Sequence, residues 1–236
     1  NGYSEDLDIF RHKSLFHLLN RTGTYFGKNH LAETLVSPFL DTDTILKHQQ
    51  AIQELSSEID LRQELHAYAL EASEEVNESS DNNLESIQAS LEGIPSSWRW
   101  TGPVIVMASI VIYIFTGFYS FIILSVLINL FLVGFYSRKI QKIHKEVSGN
   151  RDQLSAYASI FQSISERVFS SEIMKSIQEN SGEAYHGFKK LSNISEMFDR
   201  RMNLLVYFFL NSLYMYDFFT INAFKKWLVA YGNKRT

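Results

Sequence analysis

The stretch that decides the fold is Asp6–Leu55, which reads DLDIFRHKSLFHLLNRTGTYFGKNHLAETLVSPFLDTDTILKHQQAIQEL. Its apolar residues recur at three- and four-residue steps, and this spacing predicts three amphipathic helices. Ser14 opens the first helix, and Asp41 or Asp43 caps the third. The second helix ends before Pro38, because the residue preceding a proline avoids helical geometry. No alternation typical of a strand interrupts the pattern, so an all-α fold is predicted.

The same stretch resembles the start of the core, or lever, domain of the MutS family of DNA mismatch-recognition ATPases. The resemblance is carried by motifs at fixed spacing: Leu7-Asp8-Ile9-Phe10, Ser14-Leu15-Phe16, Leu19-Asn20-Arg21-Thr22, Phe26-Gly27, Pro38 and Gln49…Ile52…Leu55. It implies an elongated multi-helix domain that relays signals between an ATPase and DNA. The residues to which it assigns a structural role are Asn20, Arg21, Thr22, Phe26, Gly27 and Pro38.

Gly23–Asn29 is similar to a phosphate-binding loop but does not match its pattern. Such a loop has four residues between its glycines and a Ser or Thr after the lysine, which ligates magnesium. Here three residues separate Gly23 from Gly27, and Asn29 follows Lys28. We therefore expect no nucleotide site, no cofactor and no catalytic residue in this chain. The resemblance implies that ATP and Mg²⁺ bind in a C-terminal ATPase domain that this sequence lacks.

Composition excludes several other classes of function. The 236-residue chain has a formal charge of -4, which argues against a strong free-standing DNA binder with a basic footprint. It has no cysteine, so neither a disulfide framework nor a thiolate metal site is expected. None of its seven histidines pairs with another at the four-residue spacing of a helical zinc site. No metal site is predicted.

A second decisive stretch, Thr101–Ser137, carries no charged side chain. One straight helix of this length would measure roughly 50 Å, whereas the hydrocarbon core of a bilayer is about 30 Å thick. Two shorter spans fit better, from about Pro103 to Thr116 and from about Phe121 to Tyr136, with a turn near Gly117–Ser120. The sequence therefore predicts an inserted transmembrane helical hairpin. A shallow re-entrant hairpin, or a buried hairpin in a soluble core, is the alternative.

Positive charge flanks this hairpin at both ends, which predicts that both ends lie on the cytoplasmic side of the membrane. With such a hairpin the chain resembles the membrane-associated MutS-related proteins of bacteria, which implies the bacterial inner membrane. Tryptophans beside the first span match the aromatic belt of a membrane interface. The predicted membrane-interface residues are Trp98, Arg99, Trp100, Arg138, Lys139, Lys142 and Lys145. The lipid bilayer is therefore an expected partner. The apolar stretch Met202–Tyr216 is short and contains two asparagines, so a buried core helix is predicted there, with a third span as the alternative.

The sequence divides into four parts. Residues 1–76 form a MutS core-like helical region, 77–100 a polar connector, 101–137 the transmembrane hairpin and 138–236 the returning lever and core helices. In the last part, the second span continues to about Glu146, and Gly149-Asn150 breaks the helix. A short helix is predicted from Ser170-Ser171 to about Asn180, and a very long one from Glu183 to about Tyr231.

The resemblance and the hairpin together predict a non-catalytic core and lever module of a membrane-anchored MutS-like mismatch-repair ATPase, relaying ATP-driven conformational change. The implied partners are its own C-terminal ATPase domain, double-stranded DNA contacted nonspecifically through phosphates, and a second copy in a homodimer. The first alternative is a membrane scaffold that keeps the MutS core without DNA repair. The second is a soluble repair fragment whose apolar hairpin is a dimerisation surface.

Overall fold

The computed structural model describes residues 9–11, 13–73, 87, 89–148 and 151–232, and all regular secondary structure in them is helical. This confirms the all-α fold class. In chain order the helices are α1 (Leu15–Leu19), α2 (Tyr25–Val36), α3 (Thr42–Ser57), α4 (Ile59–Glu71), α5 (Trp98–Thr116), α6 (Ser120–Ser148), α7 (Arg151–Ser165), α8 (Glu172–Asp199), the 3-10 helix η1 (Arg200–Met202), α9 (Leu204–Tyr214) and α10 (Tyr216–Tyr231).

Side-chain caps start the first three helices. Ser14 caps α1, as predicted, by accepting a hydrogen bond from the His17 N–H. Thr24 caps α2 by accepting a hydrogen bond from the Gly27 N–H, so the helix begins at Tyr25, two residues before the predicted start at about Gly27. Asp41, rather than Asp43, caps α3 by accepting from the Thr44 N–H at 2.9 Å. Each cap satisfies a backbone donor that the helix itself cannot pair, which is why the helices begin at these positions.

The chain forms two compact units: residues 1–76 with 152–189 make the first, and residues 77–151 with 190–236 make the second. The core of the first unit is small. Its buried residues are Ala51, Leu61, Phe169 and Met174, surrounded by Leu55, Leu65, Ile164 and Ile173. In this unit Glu54 caps the start of α8, because its carboxylate accepts from Ser170 N–H, Ser171 N–H and the Ser171 hydroxyl.

The core of the second unit is larger and is built mainly from α6, the end of α8 and α10. Its buried residues are Ile87, Leu91, Ile94, Val133, Ile140, Ile143, Val147, Ile194, Phe198, Met215, Phe218, Ile221 and Phe224. Three of these, Ile87, Leu91 and Ile94, come from the segment predicted as a polar connector. That segment therefore contributes core side chains, although residues 77–86 lie outside the described part of the chain.

Two predicted helix boundaries in the second half of the chain are wrong. A break near Asn180 was expected, but α8 continues from Glu172 to Asp199. The Ser181 hydroxyl donates to Ile177 O at 2.6 Å within the helix, and Ser181 is buried, so packing overrides the local signal of Ser181-Gly182. The predicted break at Gly149-Asn150 lies outside the described residues.

The predicted long helix from Glu183 to Tyr231 is also wrong, because it is interrupted twice. After η1, Asn203 opens α9 by accepting from Leu205 N–H at 3.1 Å and Val206 N–H at 3.3 Å. Met215 then adopts a left-handed conformation, with φ 49° and ψ 50°, between α9 and α10. The two helices meet at a bend of 84°.

Candidate membrane interface

The hairpin of α5 and α6 turns at Gly117, where it was predicted to turn. Gly117 ends α5 with φ 72° and ψ 1°, a left-handed conformation that glycine adopts without steric penalty, and its N–H donates to Tyr113 O at 2.8 Å. Helix α6 begins three residues later at Ser120 and continues through the predicted extension to Ser148, over 29 residues. Helix α5 begins at Trp98, earlier than the predicted start of the span at Pro103.

Small and polar side chains join the two helices. The hydroxyls of Ser109 on α5 and Ser125 on α6 lie 3.1 Å apart and are buried. Each is also close to a carbonyl of its own helix, Val106 O and Ile122 O respectively, at 2.7 Å. Hydrogen-bonded serines and close backbone approach are the usual features of helix pairs packed in lipid.

Outward from this seam, the hairpin exposes its apolar side chains. Both helices are long and apolar enough to cross a membrane, and only 17% of the most apolar stretch of each is buried within the chain. The most exposed of these side chains are Ile114, Phe115, Phe131 and Phe135, at 72%, 84%, 73% and 74%. A hairpin in the core of a soluble protein would bury such residues. The described part of the chain therefore does not provide the soluble core that the alternative interpretation requires.

The buried face of α6 changes in character along the helix. In residues 120–137 the buried positions are Ser125, Asn129 and Val133, whereas among the described side chains of residues 138–147 they are Ile140, Ile143 and Val147. The four predicted basic interface residues, Arg138, Lys139, Lys142 and Lys145, are all exposed on this second part. The first part of the helix therefore buries two polar side chains and exposes apolar ones, whereas the second part buries apolar side chains and exposes basic ones.

The two tryptophans at the start of α5 have different surroundings. The Trp98 ring is half-buried and lies 5.5 Å from the ring of Tyr136 and 5.8 Å from that of Phe218. Trp100 exposes its ring, and the Arg99 guanidinium lies over it at 5.5 Å. Of the two predicted interfacial tryptophans, Trp98 therefore belongs to the protein core and Trp100 faces the surroundings.

Sequence reasoning missed a polar network beside the hairpin, formed around α9. The Asn129 amide, which is fully buried, donates to Ser212 O on α9 at 2.8 Å. Arg201 Nε lies 3.1 Å from Asp217 Oδ2, and their side chains are only 12% and 3% exposed. Asn211 binds both the side chain and the N–H of Asp217. The available signals were Asn129 and Asn211, two amides inside otherwise apolar runs.

Helix α9 itself contradicts the prediction of a buried core helix over Met202–Tyr216. Leu205 is 82% exposed and Phe209 64%, while Asn211 is buried. The pattern resembles that of α5 and α6, in which polar side chains are inside and apolar side chains outside. The prediction was wrong because the length and composition of an apolar helix do not reveal whether protein or another medium surrounds it.

Asn20, Arg21 and Thr22, three of the predicted structural residues, form a local turn after α1. Asn20 Oδ1 accepts from the Thr22 N–H at 3.1 Å and from the Thr22 hydroxyl at 2.6 Å. Arg21 is exposed and donates to Asn20 O at 3.0 Å. The two bonds to Asn20 Oδ1 order the backbone between α1 and α2, because a side-chain oxygen accepts the N–H that no helical carbonyl pairs.

The remaining predicted structural residues lie at the ends of α2. Phe26 exposes its ring, and Pro38 lies just beyond Ser37, the C-terminal cap of the helix. The Gly27 N–H donates to Thr24 Oγ1 at 3.0 Å. This bond is the N-terminal cap of α2, and it pairs the Gly27 N–H with a side chain of the same turn.

Polar chemistry in the first unit is also structural. An open cleft of about 400 Å³ is lined by Gln50, Gln53, Glu54, Ser170 and Ser171. The Ser171 hydroxyl, followed by the N–H groups of Ser170 and Ser171, holds the pKa of the Glu54 carboxyl below its ordinary value. The carboxylate is thus already engaged by the start of α8. The described part of the chain contains no group of three His, Cys, Asp or Glu residues able to hold a metal ion.

Comparison with known proteins decides the family. A family model described as MutS domain III matches residues 4–202. The chain belongs to the MutS family. This confirms the resemblance seen in the sequence, and a MutS domain III is a non-catalytic DNA-binding and lever domain. No curated protein and no solved structure matches the chain.

The extent of the MutS domain III match divides the second unit. The hairpin of α5 and α6 lies within the matched residues, whereas α9 and α10 follow them, because the match ends at Met202, the last residue of η1. The apolar face of α9 therefore lies outside the residues that match MutS domain III.

Proposed function

We propose that this MutS domain III is the core and lever module of a membrane-anchored MutS-like mismatch-repair ATPase. The α5–α6 hairpin anchors it in the lipid bilayer, and the helices that pack on the extension of α6 connect this anchor to the rest of the protein. The module does no chemistry itself; it relays conformational change.

One observation carries this proposal: the inside-out pattern of the hairpin. Polar Ser109, Ser125 and Asn129 are buried, while large apolar side chains of the same helices are exposed. In water this arrangement would leave a large apolar surface exposed to solvent, which is unfavourable. In a bilayer it is favourable, because lipid solvates the apolar side chains and the polar ones hydrogen-bond between helices.

The basic residues support an orientation for the anchor. Arg138, Lys139, Lys142 and Lys145 are exposed directly after the apolar part of α6, and Arg99 stands at the other end of the hairpin. Cationic residues beside a span favour the cytoplasmic side and bind anionic lipid headgroups. We therefore propose that both ends of the hairpin lie on the cytoplasmic side of a bacterial inner membrane.

The continuity of α6 supports the relay. Its basic part buries Ile140, Ile143 and Val147 against the end of α8 and against α10. The same helix continues without a break into the apolar part. ATP and Mg²⁺ would be bound by a C-terminal ATPase domain, since Gly23–Asn29 departs from the pattern of a phosphate-binding loop. Movements of that domain would reach the membrane through this packed helix. As in the MutS family generally, we propose a homodimer that contacts DNA through phosphates.

The first test is membrane fractionation of the protein in bacteria, extended through its C-terminal region. The 236 residues of the chain contain no cysteine, so a single Phe118→Cys substitution reports the location of the turn once any cysteines of the added region are replaced by serine. We expect resistance to alkaline carbonate, and labelling of position 118 by an impermeant maleimide added outside the inner membrane. A matched Val168→Cys variant should be labelled only after the membrane is opened.

Release of the protein by carbonate would contradict the proposal and would make the hairpin a core or dimer surface. Retention with labelling of position 118 only from the cytoplasmic side would instead indicate a shallow re-entrant hairpin. That result would keep the anchor but contradict the crossing.

A second candidate function is a membrane scaffold that keeps the MutS core without DNA repair, and the formal charge of -4 favours it. A protein that neutralises phosphates with Lys and Arg binds DNA with a steep dependence on salt. Binding of the extended protein to duplexes with and without a mismatch, measured over a range of salt concentrations, separates the two functions. Absence of binding at low salt would favour the scaffold.

A further inference from the structure

We propose that α9 is a third membrane-embedded element, a half-span whose apolar face contacts the acyl chains of the leaflet on the basic side of the hairpin. The inference rests on the proposed function, because it takes α5 and α6 as membrane spans. It assigns the lipid bilayer as the occupant of a surface that the fold leaves bare.

The composition of α9 suits lipid. Its 11 residues, LLVYFFLNSLY, include no charged side chain. At about 1.5 Å per residue the helix measures roughly 16 Å, which is about half of a hydrocarbon core. Its exposed side chains are Leu204, Leu205, Phe208, Phe209 and Tyr214. A helix of this length reaches into one leaflet without crossing the bilayer.

The contacts of α9 place it beside the spans. It packs against both α5 and α6. Arg201, just before α9, donates to the Ser137 hydroxyl at 3.1 Å, where the apolar part of α6 ends. Ser212, near the other end of α9, lies at Asn129, eight residues or about 12 Å deeper in that apolar part. The apolar face of α9 therefore lies at the same level along the hairpin as residues 129–137 of α6, within the apolar part.

Side chains and neighbouring backbone pair several of the free backbone groups at both ends of α9, as a waterless medium favours. The last carbonyls of a helix lack partners within it, and in lipid no water replaces them. At the C-terminal end, Ser212 O accepts from Asn129 and Asn211 O accepts from Met215 N–H at 3.2 Å. At the N-terminal end, Asn203 Oδ1 accepts from two backbone N–H groups. In water such an amide from a neighbouring span would be unnecessary.

The charges that bracket α9 neutralise each other. Arg201 precedes the helix and Asp217 follows it, and their buried ion pair leaves the inserted segment without net charge. After the bend at Met215, which packs so closely on α5 that Gly102 has no room for a Cβ, α10 leaves the spans. Its Ile221 and Phe224 join Ile140 and Ile143 on the basic part of α6. The chain thus enters one leaflet and returns on the same side.

The test uses single-cysteine variants of the full-length protein in phospholipid vesicles, each labelled with an environment-sensitive fluorophore. Phe209→Cys probes α9, Leu127→Cys is the matched control on the hairpin, and Val168→Cys is the aqueous control in the first unit. All three native side chains are exposed. Phospholipids with a nitroxide on the acyl chain quench labels in the bilayer, and iodide quenches labels in water.

We expect the acyl nitroxide to quench position 209 to an extent comparable with position 127 and several-fold more than position 168. Quenching of position 209 by iodide would overturn the inference by placing α9 in water. Protection from both quenchers would also overturn it, because a second copy or another domain would then cover α9. If position 127 also escapes the acyl nitroxide, the proposed anchor itself fails.

An additional variant tests the geometry that holds α9 in place. Asn129→Leu removes the donor to Ser212 O while retaining a side chain of similar size. In this variant we expect position 209 to lose protection from iodide by several fold, with position 127 unchanged. Unchanged protection of position 209 would overturn the role of Asn129 in seating the helix.

Discussion

The two parts of α6 share one helix but follow opposite rules. In the apolar half, residues 120–137, the buried positions include a serine and an asparagine, and phenylalanines are exposed. In the basic half, residues 138–148, isoleucines are buried and lysines are exposed. The basic half follows the pattern of a helix in water. The apolar half follows the pattern of a helix in lipid. On the proposed membrane anchoring, the change at Ser137 is therefore the boundary between lipid and water.

The largest expected effect comes from breaking the ion pair at this boundary. Arg201→Met leaves the buried Asp217 carboxylate uncompensated and should lower the free energy of unfolding by about 3–5 kcal/mol. Thermal unfolding in detergent micelles, followed by circular dichroism, measures the change. Arg200→Met, at an exposed residue paired with Glu196 at 3.3 Å, is the matched control and should cost about 0–1 kcal/mol.

A double variant gives the sharper test of that pair. Combining Arg201→Met with Asp217→Leu removes both charges, and it should recover most of the stability that the single change loses. Equal loss in the single and double variants would show that the apolar contacts of Arg201, including its approach to the Tyr207 ring at 5.3 Å, matter more than its charge.

The next largest effect comes from truncating one apolar side chain in each half of α6. Ile143→Ala, in the buried face of the basic half, should cost about 2–5 kcal/mol because it leaves a cavity in a packed core. Phe131→Ala, in the apolar half, removes a larger side chain that is exposed, so its effect on unfolding in detergent should be much smaller. Equal losses would mean that Phe131 packs against protein, contrary to the proposed boundary.

A smaller effect concerns the lysines of the basic half. Lys142→Gln and Lys145→Gln together should weaken the preference for anionic over zwitterionic lipid by about 1 kcal/mol per charge. The measurement is the difference in melting temperature of the protein in nanodiscs of the two compositions, at low and high salt. Lys47→Gln, in the first unit, is the control with no expected effect on that difference.

The smallest effect lies in the first unit, away from either half of α6. Because the folded pKa of Glu54 is depressed, its cap on α8 contributes stability above the unfolded pKa and loses it as the pH falls through the folded value. The stability difference between the native protein and Glu54→Gln should therefore shrink at acid pH. A difference independent of pH, measured by urea unfolding, would mean that the ionised form has no special role.

Local signals in the sequence were sufficient for much of the fold. Ser14 and Asp41 begin their helices because a short polar side chain can accept from the first free N–H groups. Gly117 turns the hairpin because the required φ is positive. In each case the deciding interaction lies within four residues of the signal, which is why the pattern alone predicts it.

Interactions between distant residues could not be predicted in this way. Met215 takes a left-handed conformation that its residue type rarely adopts, so no local signal marks the bend. The pairing of Arg201 with Asp217 joins residues at opposite ends of α9, and only the bend brings them together. Asn203 is different: an asparagine before an apolar run is a known helix start, so the break there could have been predicted.

The turn at Gly117 bears on how the protein is made. Between α5 and α6 lie only Gly117, Phe118 and Tyr119, none of them charged. On the proposed arrangement, almost no polar surface has to be translocated when the nascent hairpin leaves the ribosome. The two helices can therefore insert together, as one unit, and their serine–serine bond can form before either helix meets lipid alone. Biogenesis of the anchor would then depend on the length of this turn, and lengthening it with charged residues would delay insertion.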